Sequence, residues 1–132
     1  EGRRDPVYER RTHPRAGMGG SDSGAHMRFI CDGSAQTLML THWVRDCGKG
    51  DRYHLPIEFV VKKQSQDTAR LFGMRDRGTL EPGMKADLNL IDLNALHIGT
   101  PTMIKDLPAG MPRLMQTAQG YIATRGNERP LR

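Results

Sequence analysis

The place in this chain where residue types and spacing could do chemistry is Gly20-Ser21-Asp22-Ser23-Gly24-Ala25-His26, an aspartate among small residues just ahead of a histidine. A carboxylate there can bind a metal or take a proton, and Gly24 and Ala25 leave a ligand room to approach. The same residues also suit an Asx-turn or a cap, the ordinary work of Asp in a Ser/Gly context. Spacing alone leaves both readings of Asp22 open.

Other chemistry finds less support. The five histidines, His13, His26, His42, His54 and His97, form no HxH or HExxH, and no paired CxxC accompanies them. Two His-x4-Cys pairs exist, His26 with Cys31 and His42 with Cys47. On an α-helix, residues five apart point about 140° from each other, so the second pair is not expected to share a face. No GxSxG marks a serine nucleophile. The glycines at 17, 19, 20 and 24 match neither a Walker loop nor a dinucleotide fingerprint. Methionine is expected to fill core space rather than to form a binding surface.

The elements that must position Asp22 follow from the flanking pattern. Residues 1–17, polar and punctuated by Pro6 and Pro14, read as a loop with room for a short helical turn. Residues 18–26 suit a strand end opening into a loop. Ser34 is the expected N-cap of a helix through Leu38, Met39, Leu40, Trp43 and Val44 that ends before Gly48, and residues 48–54 read as a charged loop. Pro56 to Phe72 is the clearest helix, with Ile57, Val60, Val61, Thr68, Leu71 and Phe72 near one face, the lysines and Arg70 mostly opposite, and Gly73 at the C′ position. After Gly78 the pattern changes. Glu81-Pro82-Gly83 is a turn, Ala86 to Asp92 alternates like a half-buried strand, and further strands are expected around Met103, in Arg113 to Gln119 and in Tyr121 to Thr124. Helices before residue 77 and strands after it suggest two units.

Composition bounds the rest. The 132 residues are 36% hydrophobic and 5% aromatic, lean for an independent core but not a disordered composition. No apolar run reaches the ~18 residues that span a bilayer, which argues against a membrane protein. Cys31 and Cys47 fit no disulfide framework, so a reducing, cytoplasmic setting is expected. The first residue is Glu, which points to a natural N-terminus outside this sequence. The net charge of +5 is concentrated at Arg3, Arg4, Arg10, Arg11 and Arg15. No aromatic platform accompanies these arginines, which argues for a solvated surface over nucleic-acid binding.

Read together, several segments carry a resemblance. They are Thr12-His13-Pro14-Arg15, Ser21-Asp22-Ser23-Gly24-Ala25-His26, Leu40-Thr41-His42-Trp43-Val44-Arg45-Asp46, Asp67-Thr68-Ala69-Arg70-Leu71-Phe72-Gly73, Arg77-Gly78 and Pro82-Gly83-Met84-Lys85-Ala86-Asp87. In order and spacing they resemble the C-terminal part of the D-aminoacylase (N-acyl-D-amino-acid deacylase) group of metal-dependent amidohydrolases, over roughly residues 12–124. The RG-x-L-x-PG-x-x-AD piece is widespread among amidohydrolases, whereas SDSGAH and LTHWVRD point to the D-aminoacylase branch.

The resemblance implies an α/β fold: the end of a (β/α)8 barrel, with its last strand and following helices, over residues 1–77, and part of a small β-subdomain with a short basic tail over 78–132. It implies that Asp22 ends the last barrel strand, takes a proton from a metal-bound water and passes it to the leaving amine. Ser21 and His26 would lie either against the substrate or just behind the residues that touch it, and Asp22 itself is a possible metal ligand. Asp32 and His42 are read as structural. The implied cofactor is zinc, whose other ligands would lie in sequence upstream of this chain, since a whole barrel takes about 250 residues. The implied substrate is a small N-acyl amino acid. The isolated chain is expected to be inactive and to hold no tight metal. The competing expectation is a non-catalytic structural or interaction remnant that self-associates through exposed apolar surfaces.

Overall fold

In the computed structural model the described residues are 4–18, 20, 21, 24 and 32–126. Among these residues three helices come first and six short strands follow, with a 3₁₀ turn at Pro108–Gly110 among the strands, a mixed helix and strand architecture whose character changes near residue 77.

The first helix, Asp5–Thr12, is longer than the short turn expected there. Asp5 and Pro6 open it and Arg10 and Arg11 close it, each charge at the helix end whose dipole it complements. No residue of it is fully buried, and aromatic contacts hold it in place. The Tyr8 ring lies 6.4 Å from Trp43 and 5.7 Å from Tyr53, while the Arg11 guanidinium lies 5.5 Å from the Trp43 ring centre. The Tyr53 hydroxyl donates to Asp5 Oδ1 at 2.8 Å, and Arg52 pairs with the same carboxylate.

The second helix runs over residues 32–46 and begins as a 3₁₀ turn at Asp32–Ser34. Ser34 does not cap it. Its Oγ donates instead to Gln116 Oε1 at 2.6 Å, tying the helix start to the strand region. From Met39 to Asp46 the backbone bonds widen to the π pattern, i to i+5. This segment supplies half of the core: Met39, Leu40, Trp43 and Val44 are buried together with Met18, Leu55, Val60 and Leu96.

The third helix, residues 57–71, also contains a π turn, Lys63–Asp67, between the α segments Ile57–Lys62 and Thr68–Leu71. Gly73 follows at φ 70, the left-handed C′ position expected of it, and the Met74 amide donates back to the Ala69 carbonyl at 2.8 Å. The expected apolar face is buried only in part, at Val60 and, by half, at Thr68. Val60, Lys63 and Ala69 turn inward, while Ile57, Val61, Leu71 and Phe72 are exposed, the last two at 71% each. A wide turn shifts the angular phase of everything after it, so one 3.6-residue template cannot fit both halves.

The strands form three separate two-stranded ladders, nested one within the next along the sequence. β1 (Leu88–Ile91) pairs with β6 (Tyr121–Arg125), β2 (His97–Ile98) with β5 (Ala118–Gln119), and β3 (Thr102–Ile104) with β4 (Arg113–Met115), all antiparallel. The expected alternation of Ala86 to Asp92 is broken by a register shift between Leu90 and Ile91, which leaves Leu90 59% exposed. Leu96, from the β1–β2 connection, is 1% exposed within the helical core. Arg45 reinforces that joint, its Nη1 donating to the carbonyls of Leu93 at 3.1 Å and Leu96 at 2.6 Å.

The widespread Arg-Gly…Pro-Gly…Ala-Asp motif acts as a clip. Gly78 has φ 93, and a Cβ on it would lie 2.8 Å from Ala69 Cβ, so the chain presses directly on the third helix. Ala86 is buried, Arg77 pairs with Asp87 at 3.0 Å and Asp76 pairs with Lys85 at 2.8 Å.

Candidate functional site

Asp22 and His26 lie outside the described residues, as do Ser23 and Cys31, so the expectation that Asp22 ends a barrel strand falls there too. Ser21 is described and exposed. Residues 16–18, 20 and 21 carry no strand pairing among the described residues. The segment leading into Asp22 is described over residues 13–18, 20 and 21.

That segment is fastened by a residue that sequence patterning assigned to a solvated face. Lys63 is only 5% exposed. Its Nζ lies 3.4 Å from the His13 carbonyl oxygen, 3.2 Å from that of Pro14 and 3.1 Å from that of Ala16, with Asp67 Oδ2 at 3.7 Å. An ammonium has three donors, and here three carbonyls of one short stretch meet them while a carboxylate balances the charge. Two residues beyond Ala16, Met18 sits in the core at 7% exposure. The available signal for Lys63 was its place three residues after Val60, which is the most deeply buried residue of that helix. Asp67, bonded by Lys62 at 2.6 Å, is held below the ordinary carboxylate value by that bond first and by the surrounding cations after it.

The second His-x4-Cys pair also departs from expectation. Cys47 Sγ lies 4.0 Å from His42 Nε2. The two meet because the helix here is π: the Cys47 amide donates to the His42 carbonyl at 2.8 Å, closing an i to i+5 turn that stacks residues five apart. His54 Nδ1 lies 2.8 Å from the Cys47 carbonyl oxygen and His42 packs edge-on to Trp43. Burial and the nearby Asp51 charge push the Cys47 thiol up, so it stays protonated at neutral pH. His42 and Cys47 form a packed joint against Trp43. His13 accepts the Arg15 amide at 3.2 Å through Nδ1, and His97 sits exposed in β2.

Among the described residues no three His, Cys, Asp or Glu side chains gather in a way that could hold a metal ion. The described residues therefore supply no complete metal site of their own. No described helix is long and apolar enough to cross a membrane. A groove of about 600 Å³ runs between the third helix and β1, lined by Val61, Ser65, Thr79, Leu80, Leu88 and Ile91 among others. The buried Thr79 Oγ1 has no hydrogen-bond partner there.

The chain matches the model of the amidohydrolase family over residues 2–117. No curated protein and no solved structure matches the chain. The matched stretch spans the three helices, the Asp22 segment, the Arg-Gly…Ala-Asp clip and the first four strands. With nearly the whole sequence inside that match, the chain belongs to the amidohydrolase family.

Proposed function

We propose that this chain is the C-terminal segment of a metal-dependent amidohydrolase that hydrolyses the amide bond of N-acyl-D-amino acids. The observation that carries the reading is the Ser21-Asp22-Ser23-Gly24-Ala25-His26 run inside a family match that also contains Leu40-Thr41-His42-Trp43-Val44-Arg45-Asp46. In this proposal residues 1–77 complete a (β/α)8 barrel and residues 78–132 belong to a β-subdomain. Zinc would take its ligands chiefly from sequence outside this chain.

Asp22 is the group assigned to proton movement. Its carboxylate accepts a proton from the water whose oxygen attacks the amide carbonyl carbon. When the tetrahedral adduct collapses and the C–N bond breaks, the same proton goes to the leaving nitrogen. This returns the carboxylate and releases a carboxylic acid and a free amino acid. Ser21 and His26, one and four residues away in sequence, are the proposed substrate-side neighbours.

The test is turnover of N-acyl-D- and N-acyl-L-amino acids by the complete enzyme, with Asp22→Asn alongside. Loss of about 10²-fold or more in kcat with Asp22→Asn, and preference for the D series, are expected. Undiminished turnover by Asp22→Asn would refute the role. The chain alone is expected to lack turnover and stoichiometric zinc, and finding both would refute the division of the site. A second reading, a non-catalytic interaction module, is favoured by the exposure of Leu71, Phe72 and Leu80 at 71%, 71% and 72%. Concentration-dependent self-association of the chain with no deacylase activity in the complete protein would support it.

A further inference from the structure

We propose that Lys63 is the positioning residue for the Asp22 segment: its buried ammonium clamps the carbonyls of residues 13–16 to the third helix and so fixes the backbone from which Asp22 departs. This deepens the proposed function and rests on it for the role of Asp22. The clamp itself rests on contacts alone.

A lysine in a helix gains nothing by being buried. Desolvating its charge is costly unless every donor is met, and a methionine or leucine would fill the same space more cheaply. What the ammonium adds is the ability to gather carbonyls. The three that it meets belong to His13, Pro14 and Ala16. Pro14 has no amide hydrogen, so this stretch cannot be secured by an unbroken backbone ladder of its own. Its own bonds are local: the Ala16 amide to the His13 carbonyl at 3.1 Å and the Arg15 amide to His13 Nδ1 at 3.2 Å. Lys63 supplies the long-range attachment, and the buried Met18 side chain supplies the next anchor. From Met18 to Asp22 is four residues, at most about 14 Å of chain. An anchor so near in sequence bounds the region open to a reacting carboxylate, and catalysis falls when that group is less well oriented.

The first experiment uses the chain as it stands, with Lys63→Met and Lys63→Arg variants. It measures tryptic cleavage after Arg15 by mass spectrometry and amide exchange across residues 57–71. In Lys63→Met, cleavage after Arg15 should rise about tenfold or more while the helix amides keep their protection, and Lys63→Arg should recover much of the resistance. Unchanged cleavage after Arg15 in a Lys63→Met chain with an intact helix overturns the clamp. If Lys63→Met does not fold, the unmodified chain decides: cleavage after Arg15 as fast as in an unfolded peptide overturns it, and resistance upholds it.

The second experiment uses the complete enzyme. Lys63→Met should lower kcat about tenfold with KM changed less than about twofold, and Lys63→Arg should restore part of it. An unchanged kcat in Lys63→Met overturns the positioning role. Full turnover by Asp22→Asn would defeat the proposed function and leave the Arg15 result standing, so the two failures are separable.

Discussion

Replacing Gly120 with alanine tests the closest approach between the strands and the helical core. Gly120 has φ 92, and a Cβ built on it would lie 2.6 Å from Leu96 Cα, 2.7 Å from Leu96 N and 2.9 Å from the Ala95 carbonyl carbon. Carbon atoms in good contact sit about 3.5–4.0 Å apart, so the methyl would overlap backbone by nearly 1 Å. Backbone cannot rotate away as a side chain can. Two terms add. Holding a residue with a Cβ at such a φ costs about 1–2 kcal/mol, and overpacking costs about 1–3 kcal/mol more. The total, about 2–5 kcal/mol, is a large share of the ~5–15 kcal/mol that holds an ordinary domain together. Gly83 is the control, because its φ is 90 yet a Cβ there would meet nothing within 4 Å. Gly83→Ala should therefore carry the first term alone. Urea unfolding of both variants reads the difference as a shift in midpoint at constant slope. Equal shifts for the two would refute the close approach of Gly120 to Leu96.

Other perturbations test separate parts. Leu96→Ala empties a site that is 1% exposed and should cost about 2–5 kcal/mol by the same unfolding measurement. Asp67, Asp76 and Asp106 are held below the ordinary carboxylate value by bonds from Lys62, from Lys85 and Arg77, and from Arg113 respectively. Their contribution is thus complete above the unfolded-state value near ~3.9 and is lost as pH falls through the lower folded-state values. A melting-temperature profile should decline below about pH 4, more gently in Asp106→Asn, and added salt should shrink the difference. In a Cys31→Ser background, Cys47 should resist thiol reagents at pH 7 and react at once in urea. Fast native labelling would contradict its burial beside His42.

Much of the scaffold was legible in the sequence because its signals are local. Pro56 and Gly73 bracket the third helix, and Pro82-Gly83 marks the turn before β1. The faces of the helices were not legible. Lys63 was assigned to solvent by its charge, although it follows Val60 at helical spacing, and a π turn leaves no mark in a 3.6-residue template, so His42 was separated from Cys47. Ser34 carried the chemistry of a cap, but a partner 82 positions away, Gln116, claimed its hydroxyl. Residues 5–12 were read as loop because their polar surface hides a helix whose stabilising contacts are tertiary, Tyr8 and Arg11 against Trp43. Asp22, the residue on which the chemistry turns, was legible only as a type in a context.

The nesting of the strand pairs has a consequence for how the chain acquires its shape. β3 with β4 encloses the shortest connection, β2 with β5 the next and β1 with β6 the longest. Closing a loop costs entropy that grows with its length, and each inner pairing shortens the loop that the next must close. Assembly by zipping outward from the Ile104–Arg113 end is therefore the least costly order, with the first hairpin forming in about 1–10 μs and the β1–β6 ribbon last. On that order Gly120 and Leu96 meet late. Changes at their contact should speed unfolding and leave the folding rate nearly untouched.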